Sequence, residues 1–144
     1  MESEKYLQLS KHPLFDDLKK LTLPEGEYAV FGSGPLWVRG IREAADIDII
    51  ARGKAWEAVR TKGSVQTKKG LGIQYIPFAN GAIEIYKDWR PGEWNVDELI
   101  ETAEIIDGIP FVRLDVVIEW KKRRGQEKDL KDLVLIEEYL AHKN

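Results

Sequence analysis

The sequence predicts a mixed α/β domain of the α+β kind: a small mixed β-sheet flanked by helices, with helices closing the C-terminal end. Three observations lead there. Short apolar runs such as Tyr28-Ala29-Val30-Phe31 and Ile83-Glu84-Ile85-Tyr86 have the length and period of strands. Asn80-Gly81 and Asp107-Gly108 fall between such runs and mark hairpins. Apolar residues at helical spacing occupy both ends of the chain. With 144 residues the chain has the size of one domain. It divides into an N-terminal helical segment (1–22), a sheet-containing core (23–112) and C-terminal helices (113–144).

The elements follow in order. Residues 1–22 read as helical, with Pro13 early in a second short helix, where its missing N–H costs little. Leu14, Leu18 and Leu21 give that helix an apolar side. Pro24-Glu25-Gly26-Glu27 is a turn, and 28–31 is a short buried strand. Gly32-Ser33-Gly34 breaks it, and 35–40 can form a short helix. Residues 46–51 read as a strand and 54–61 as a helix. Strands at 73–78 and 82–86 form a hairpin; 96–102 is a helix capped by Asn95. A second hairpin spans 104–112. Helices at 115–124 and 126–141 close the chain, the last with Leu130, Leu133, Ile136 and Leu140 as its apolar stripe.

Composition excludes several chemistries. There is no cysteine, so thiol catalysis, disulfides, iron–sulfur ligation and cysteine-bound zinc are all ruled out. Only two histidines occur, His12 and His142, which disfavours histidine metal sites and serine–histidine hydrolysis. The net charge of −3 argues against non-specific nucleic-acid binding. The start, Met1-Glu2-Ser3-Glu4-Lys5, lacks a signal-peptide pattern, and no run is long and apolar enough to span a membrane. A cytoplasmic protein is expected. Any catalysis must rest on carboxylates, which suit a hard cation.

The chemistry concentrates between residues 31 and 50. On a strand, Asp46 and Asp48 point to one face, Ile47 and Ile49 to the other. Two carboxylates on one face repel unless a cation neutralises them. Together they can hold one magnesium, or a pair of ions about 3.5–4 Å apart that suits phosphoryl or nucleotidyl transfer. Just upstream, Gly32-Ser33-Gly34 ends a strand and opens a helix. Glycine lets a phosphate approach backbone N–H groups, and the Ser33 hydroxyl can donate to a phosphate oxygen. Cradle and carboxylates on consecutive elements can face one ligand, a nucleoside triphosphate carrying magnesium.

These residues resemble the nucleotidyltransferase superfamily of the DNA polymerase β type. That pattern is an apolar residue, Gly-Ser, a spacer, then Asp-x-Asp; here 12 residues separate Gly32-Ser33 from Asp46-Ile47-Asp48. The chain looks most like small bacterial members related to antibiotic nucleotidyltransferases and AbiEii-type toxins. Those carry an Arg four residues before the first Asp, matched by Arg42. They end in a helical Lys, a basic stretch and Lys-Asp-Leu-x-Asp-Leu, matched by Lys121, Arg123-Arg124 and residues 128–133. The resemblance covers roughly residues 28–140.

It implies a nucleotidyltransferase fold and a third carboxylate on a later strand. Glu84 is the candidate, since Ile83 and Ile85 point to the core and Glu84 away from it. The family more commonly has Asp there; Asp88 is the fallback. The implied metal and catalytic set is Asp46, Asp48 and Glu84, with Gly32, Ser33, Arg42 and Lys121 binding the nucleotide. Arg39 and Arg42 lie near the cradle, and one can meet phosphate or Asp46. Lys128, Asp129 and Asp132 read more simply as a charge cluster tying the last helix to the site. Trp89 and Trp94 flank a loop where an aromatic could stack on a base or acceptor, though packing is the plainer role. The activity implied is magnesium-dependent transfer of a nucleoside monophosphate from a nucleoside triphosphate to a small molecule, a protein or an RNA end. The alternative is a degenerate binding module, an antitoxin-like regulator acting through a protein partner. An RNA-binding adaptor using residues 121–124 fits the negative charge least.

Overall fold

The computed structural model describes residues 5–143. The part of the predicted helical segment at 1–4 lies outside them. The N-terminal segment is less helical than expected: a 3-10 turn at Leu9–Lys11 precedes helix α1, Pro13–Lys20. His12 caps α1, its Nδ1 accepting from the Leu14 N–H at 3.3 Å. Its Nε2 lies 2.6 Å from the Ala44 carbonyl, which ties α1 to the segment ahead of the two aspartates.

Then come β1 (Tyr28–Phe31), the single turn α2 (Gly34–Trp37), β2 (Ile47–Ala51) and α3 (Gly53–Arg60). A short strand that the sequence does not announce, β3 (Gln66–Thr67), pairs with β4 (Gln74–Phe78). β4 turns at Ala79–Gly81 into β5 (Ile83–Tyr86). Helix α4 (Val96–Glu101) starts where Asn95 Oδ1 accepts from the Glu98 N–H. The hairpin β6 (Glu104–Ile106) and β7 (Ile109–Phe111) leads to α5 (Leu114–Arg124) and α6 (Glu127–Ala141). Gly125 separates the last two helices. Its φ of +59° lies in the left-handed region, and its N–H donates to the Lys121 carbonyl.

The seven strands form one sheet in the order β3-β4-β5-β2-β1-β7-β6. β1 and β2 are antiparallel, while β2 pairs with β5 in parallel, Asp48 directly beside Glu84. Alternation sorts the strand residues onto two cores. Val30, Ile47, Ile49, Ile83 and Ile85 pack with Phe15 and Leu18 of α1 and with Trp56 and Val59 of α3. Phe31, Ile50 and Tyr86 face the other way and pack with Trp89, Leu99 of α4, Val117 and Trp120 of α5 and Ile136 of α6. Asp48 and Glu84 belong to this second face. Among the described residues no helix is long and apolar enough to cross a membrane.

One expectation is overturned in part. Of the predicted apolar stripe of α6, Ile136 is buried and Leu133 half-buried, but Leu130 is 56% exposed and Leu140 43% exposed, and Asp129 and Asp132 complete the buried side. Buried Lys121 and half-buried Arg124 of α5 need counter-charges, and pairing them outweighs burying one more leucine. The orientation predicts that Leu130→Gln changes stability by less than about 0.5 kcal/mol. Ile136→Ala should cost roughly 2–5 kcal/mol. Chemical denaturation checks both, and comparable losses at the two positions would contradict this placement of the helix.

Candidate active site

The turn after β1 meets the turn before β2. Gly32 has a φ of +64°, and a Cβ there would sit 2.6 Å from Asp48 Oδ2. Only glycine allows both the conformation and the close approach of the carboxylate. Ser33 follows, its Oγ accepting from Arg42 Nη2 at 2.8 Å. The hydroxyl proton of Ser33 is thereby left to be donated elsewhere. α2 is a single turn, so its dipole adds little, and the cradle rests on the turn's backbone and the Ser33 hydroxyl.

Arg42 does not stand free. Its Nε and Nη2 donate to both oxygens of Asp132 at 2.7 and 2.9 Å, and its Nη1 donates to the Glu43 carbonyl. Lys121 Nζ donates to the same Asp132 at 2.8 Å and lies 3.7 Å from Asp129. Arg124 donates to both oxygens of Asp129 at 2.8 and 2.7 Å and lies over the Trp120 ring. Burial would raise Asp132, but the hydrogen bonds from Arg42 and Lys121 outweigh it and hold the carboxyl below the usual range. At Asp129 burial is likewise outweighed, by Arg124 and the Gln126 backbone N–H. Burial pushes Lys121 down against its two carboxylate partners. Lys121 is 1% exposed and committed to Asp132. It still borders the cavity that holds Gly32, Ser33, Asp46 and Asp48, so in this structure its charge reaches that cavity from within an ion pair. Arg39 is turned away from the cradle, donating to Glu104 at 2.6 Å and to the Pro35 carbonyl.

Asp46 lies just before β2 and is exposed; Asp48 on β2 is partly buried. Burial first, then the neighbouring Glu84 and Asp46, push Asp48 up to about 7, although Lys68 and Arg124 pull the other way. Glu84 stands beside Asp48 in register. Its Oε1 accepts from Lys68 Nζ at 3.1 Å and from the Tyr86 hydroxyl. Burial and that hydrogen bond hold the Tyr86 phenol above its ordinary range. Asp88 is not brought in. It lies beyond β5, where its carboxylate accepts from the Trp89 N–H and Arg90.

Two cavities of about 230 Å³ meet at Asp46 and Asp48. One lies against Gly32, Ser33 and Arg42. The other lies against Lys68, Glu84, Tyr86 and Trp89. Lys128 and Arg124 border both. Trp89 is a core residue, stacked on Phe31 at 4.3 Å between ring centres, and its Nε1–H has no partner among the described residues. Trp94 is a loop anchor, its Nε1 donating to the Pro91 carbonyl. Sequence reasoning missed Lys68 and Tyr86. Tyr86 shares the strand parity of Glu84 and was within reach of that argument. Lys68 follows the two-residue strand β3, which carries no pattern.

The donor set suits magnesium: every candidate ligand is a carboxylate oxygen, and the burial and carboxylate repulsion that raise Asp48 are offset by a cation. Among the described residues, however, no three acidic or histidine side chains stand at metal-ligand spacing. Oxygen Oε1 of Glu84 is engaged by Lys68 and Tyr86 instead.

No protein-family model and no curated protein sequence matches the chain. Its structure is similar to the crystal structure of a "putative nucleotidyltransferase" from Thermotoga maritima, with a TM-score of 0.58 and 16% identity over 97% of this chain and 99% of that one. The likeness shows the fold: the chain has the nucleotidyltransferase fold that the motif implied. The finer kinship with AbiEii-type toxins rests on the sequence motifs alone.

The burial of Asp48 has a stability consequence. Its folded pKa of about 7 lies above the ordinary 3.8, so the ionised form is penalised in the folded state. The penalty is complete above pH 7 and fades as pH falls towards 4. Asp48→Asn should therefore raise stability by roughly 2–4 kcal/mol at pH 8. The gain should shrink to nearly nothing at pH 4, read from denaturation curves at the two pH values. A pH-independent difference would contradict the assigned burial.

Proposed function

We propose that the protein is a magnesium-dependent nucleotidyltransferase. It moves a nucleoside monophosphate from a nucleoside triphosphate to an acceptor hydroxyl and releases pyrophosphate. One observation carries the reading: Asp48 and Glu84 stand side by side on parallel strands, with the Gly32-Ser33 turn against Asp48. A turn suited to a phosphate and a carboxylate pair thus meet at one point, which supports the reading.

In this reading Asp46, Asp48 and Glu84 hold magnesium, which neutralises the triphosphate and acidifies the acceptor hydroxyl when bound. Ser33 donates its hydroxyl proton to a phosphate oxygen, fixed in that role by Arg42. Exposed Lys128, bordering both cavities, supplies positive charge to the leaving pyrophosphate. The acceptor enters from the cavity beside Glu84. Its hydroxyl loses a proton to a carboxylate, its oxygen bonds to the α-phosphorus, and the bond to pyrophosphate breaks. A second reading, a degenerate module acting through a protein partner, draws on the engagement of Glu84 by Lys68 and Tyr86.

Incubation with α-labelled nucleoside triphosphates, magnesium and cell lysate tests the proposal. Label should pass to an acceptor, and Asp46→Ala should reduce the transfer by about a hundredfold or more. Transfer that survives Asp46→Ala contradicts the mechanism. No transfer from any nucleotide, together with no metal binding, favours the degenerate module.

A further inference from the structure

Lys68 lies outside the resemblance motif yet touches the carboxylate that should complete the metal site. It follows β3, and the exposed turn 69–72 carries the chain from there into β4. Its Nζ is 3.1 Å from Glu84 Oε1, 5.0 Å from the centre of the Tyr75 ring and 5.9 Å from that of Tyr86. The ammonium is thus seated in a small aromatic socket, with the carboxylate as its counter-charge. The backbone N–H of Lys68 donates to the Ile73 carbonyl, and its own carbonyl accepts from Leu71 and Gly72. These bonds fix the base of the turn. Lys68, Leu71 and Ile73 all line the cavity at the carboxylates, and Leu71 and Ile73 continue into the 390 Å³ cavity beside it.

The ammonium and a divalent cation compete for the same carboxylate charge. Glu84 Oε1 already accepts from two donors, one of them charged. A divalent cation brought to the same carboxylate meets the repulsion of the Lys68 ammonium, which weakens its binding as long as the ammonium stays. Lys68 also acts on Asp48, so its departure leaves two neighbouring carboxylates to be neutralised by the incoming ion.

We propose that Lys68 is a built-in counter-ion that competes with divalent cations for Glu84, and that tight cation binding to Glu84 requires its ammonium to swing away. The inference rests on Glu84 being a metal ligand, as in the proposed function. It makes Lys68 the residue that sets how tightly the third carboxylate takes a cation.

Manganese ion is the probe, titrated into the intact protein and followed by the electron paramagnetic resonance signal of free Mn²⁺. The variants are Lys68→Met, Glu84→Gln, the double variant, and Lys69→Met as an equal charge change on the same turn. Thermal melts establish that each is folded, and Lys68→Gln serves as a second neutral replacement. Lys68→Met should bind manganese about tenfold more tightly than the wild type, and Lys69→Met less than about twofold more tightly. With Glu84→Gln in place, removing Lys68 should no longer strengthen binding by more than the Lys69→Met control. Unchanged or weaker binding in Lys68→Met, while Glu84→Gln still weakens it, would overturn the role of Lys68 and leave the metal site standing. Affinity indifferent to Glu84→Gln and to Asp48→Asn would overturn the metal site itself.

Discussion

The Gly32-Ser33 side of the site hangs on the carboxylate of Asp132. It receives two hydrogen bonds from Arg42 and one from Lys121, in a setting where Lys121 is 1% exposed. A buried ion pair of this kind is not an economical way to stabilise a fold, because desolvation offsets most of the attraction. What it supplies is position. Arg42 reaches from Asp132 to Ser33, so the turn after β1 is held against a helix contributed from the far end of the chain. Removing Asp132 would leave buried Lys121 with Asp129 alone at 3.7 Å and release Arg42 from the helix that holds it.

That lock explains the otherwise odd exposure of α6. The helix turns charged residues inward and leaves Leu130 and Val134 in solvent. Its orientation answers to Lys121 and Arg124 rather than to its own apolar stripe. The same logic orders the sheet. Ile47, Ile49, Ile83 and Ile85 anchor β2 and β5 against α1 and α3, and their alternation obliges Asp48 and Glu84 to share the opposite face. The two aspects converge: apolar packing from one side fixes the carboxylates, and an ion-pair network from the other fixes the Gly32-Ser33 turn.

Local patterns explain what was legible in the sequence. Strand parity pointed Glu84 away from Ile83 and Ile85, and the family resemblance singled it out as a partner for the aspartates; Asn-Gly and Asp-Gly located the hairpins, and Asn95 marked the start of α4. What escaped was set by contacts across long separations. The network joining Arg42 to Asp132 spans 90 positions, and no periodicity reveals that Lys121 is consumed within it. The α6 stripe misled because amphipathic patterning assumes that apolar burial always wins, and here buried charges on a neighbouring helix decided the face. Lys68 was invisible for a different reason: it enters from a two-residue strand whose pairing comes from β4, not from its own sequence.

The central claim is that the Gly32-Ser33 turn and the Asp46–Asp48 carboxylates receive a single metal–nucleotide ligand. Anomalous diffraction from crystals grown with manganese and a nucleoside triphosphate analogue that cannot be cleaved at the α-phosphorus tests it most directly. The account predicts manganese bound by Asp46 and Asp48, with triphosphate oxygens within hydrogen-bond reach of Ser33. Manganese and nucleotide bound away from these residues, or a nucleotide bound without any metal at the aspartates, would contradict it.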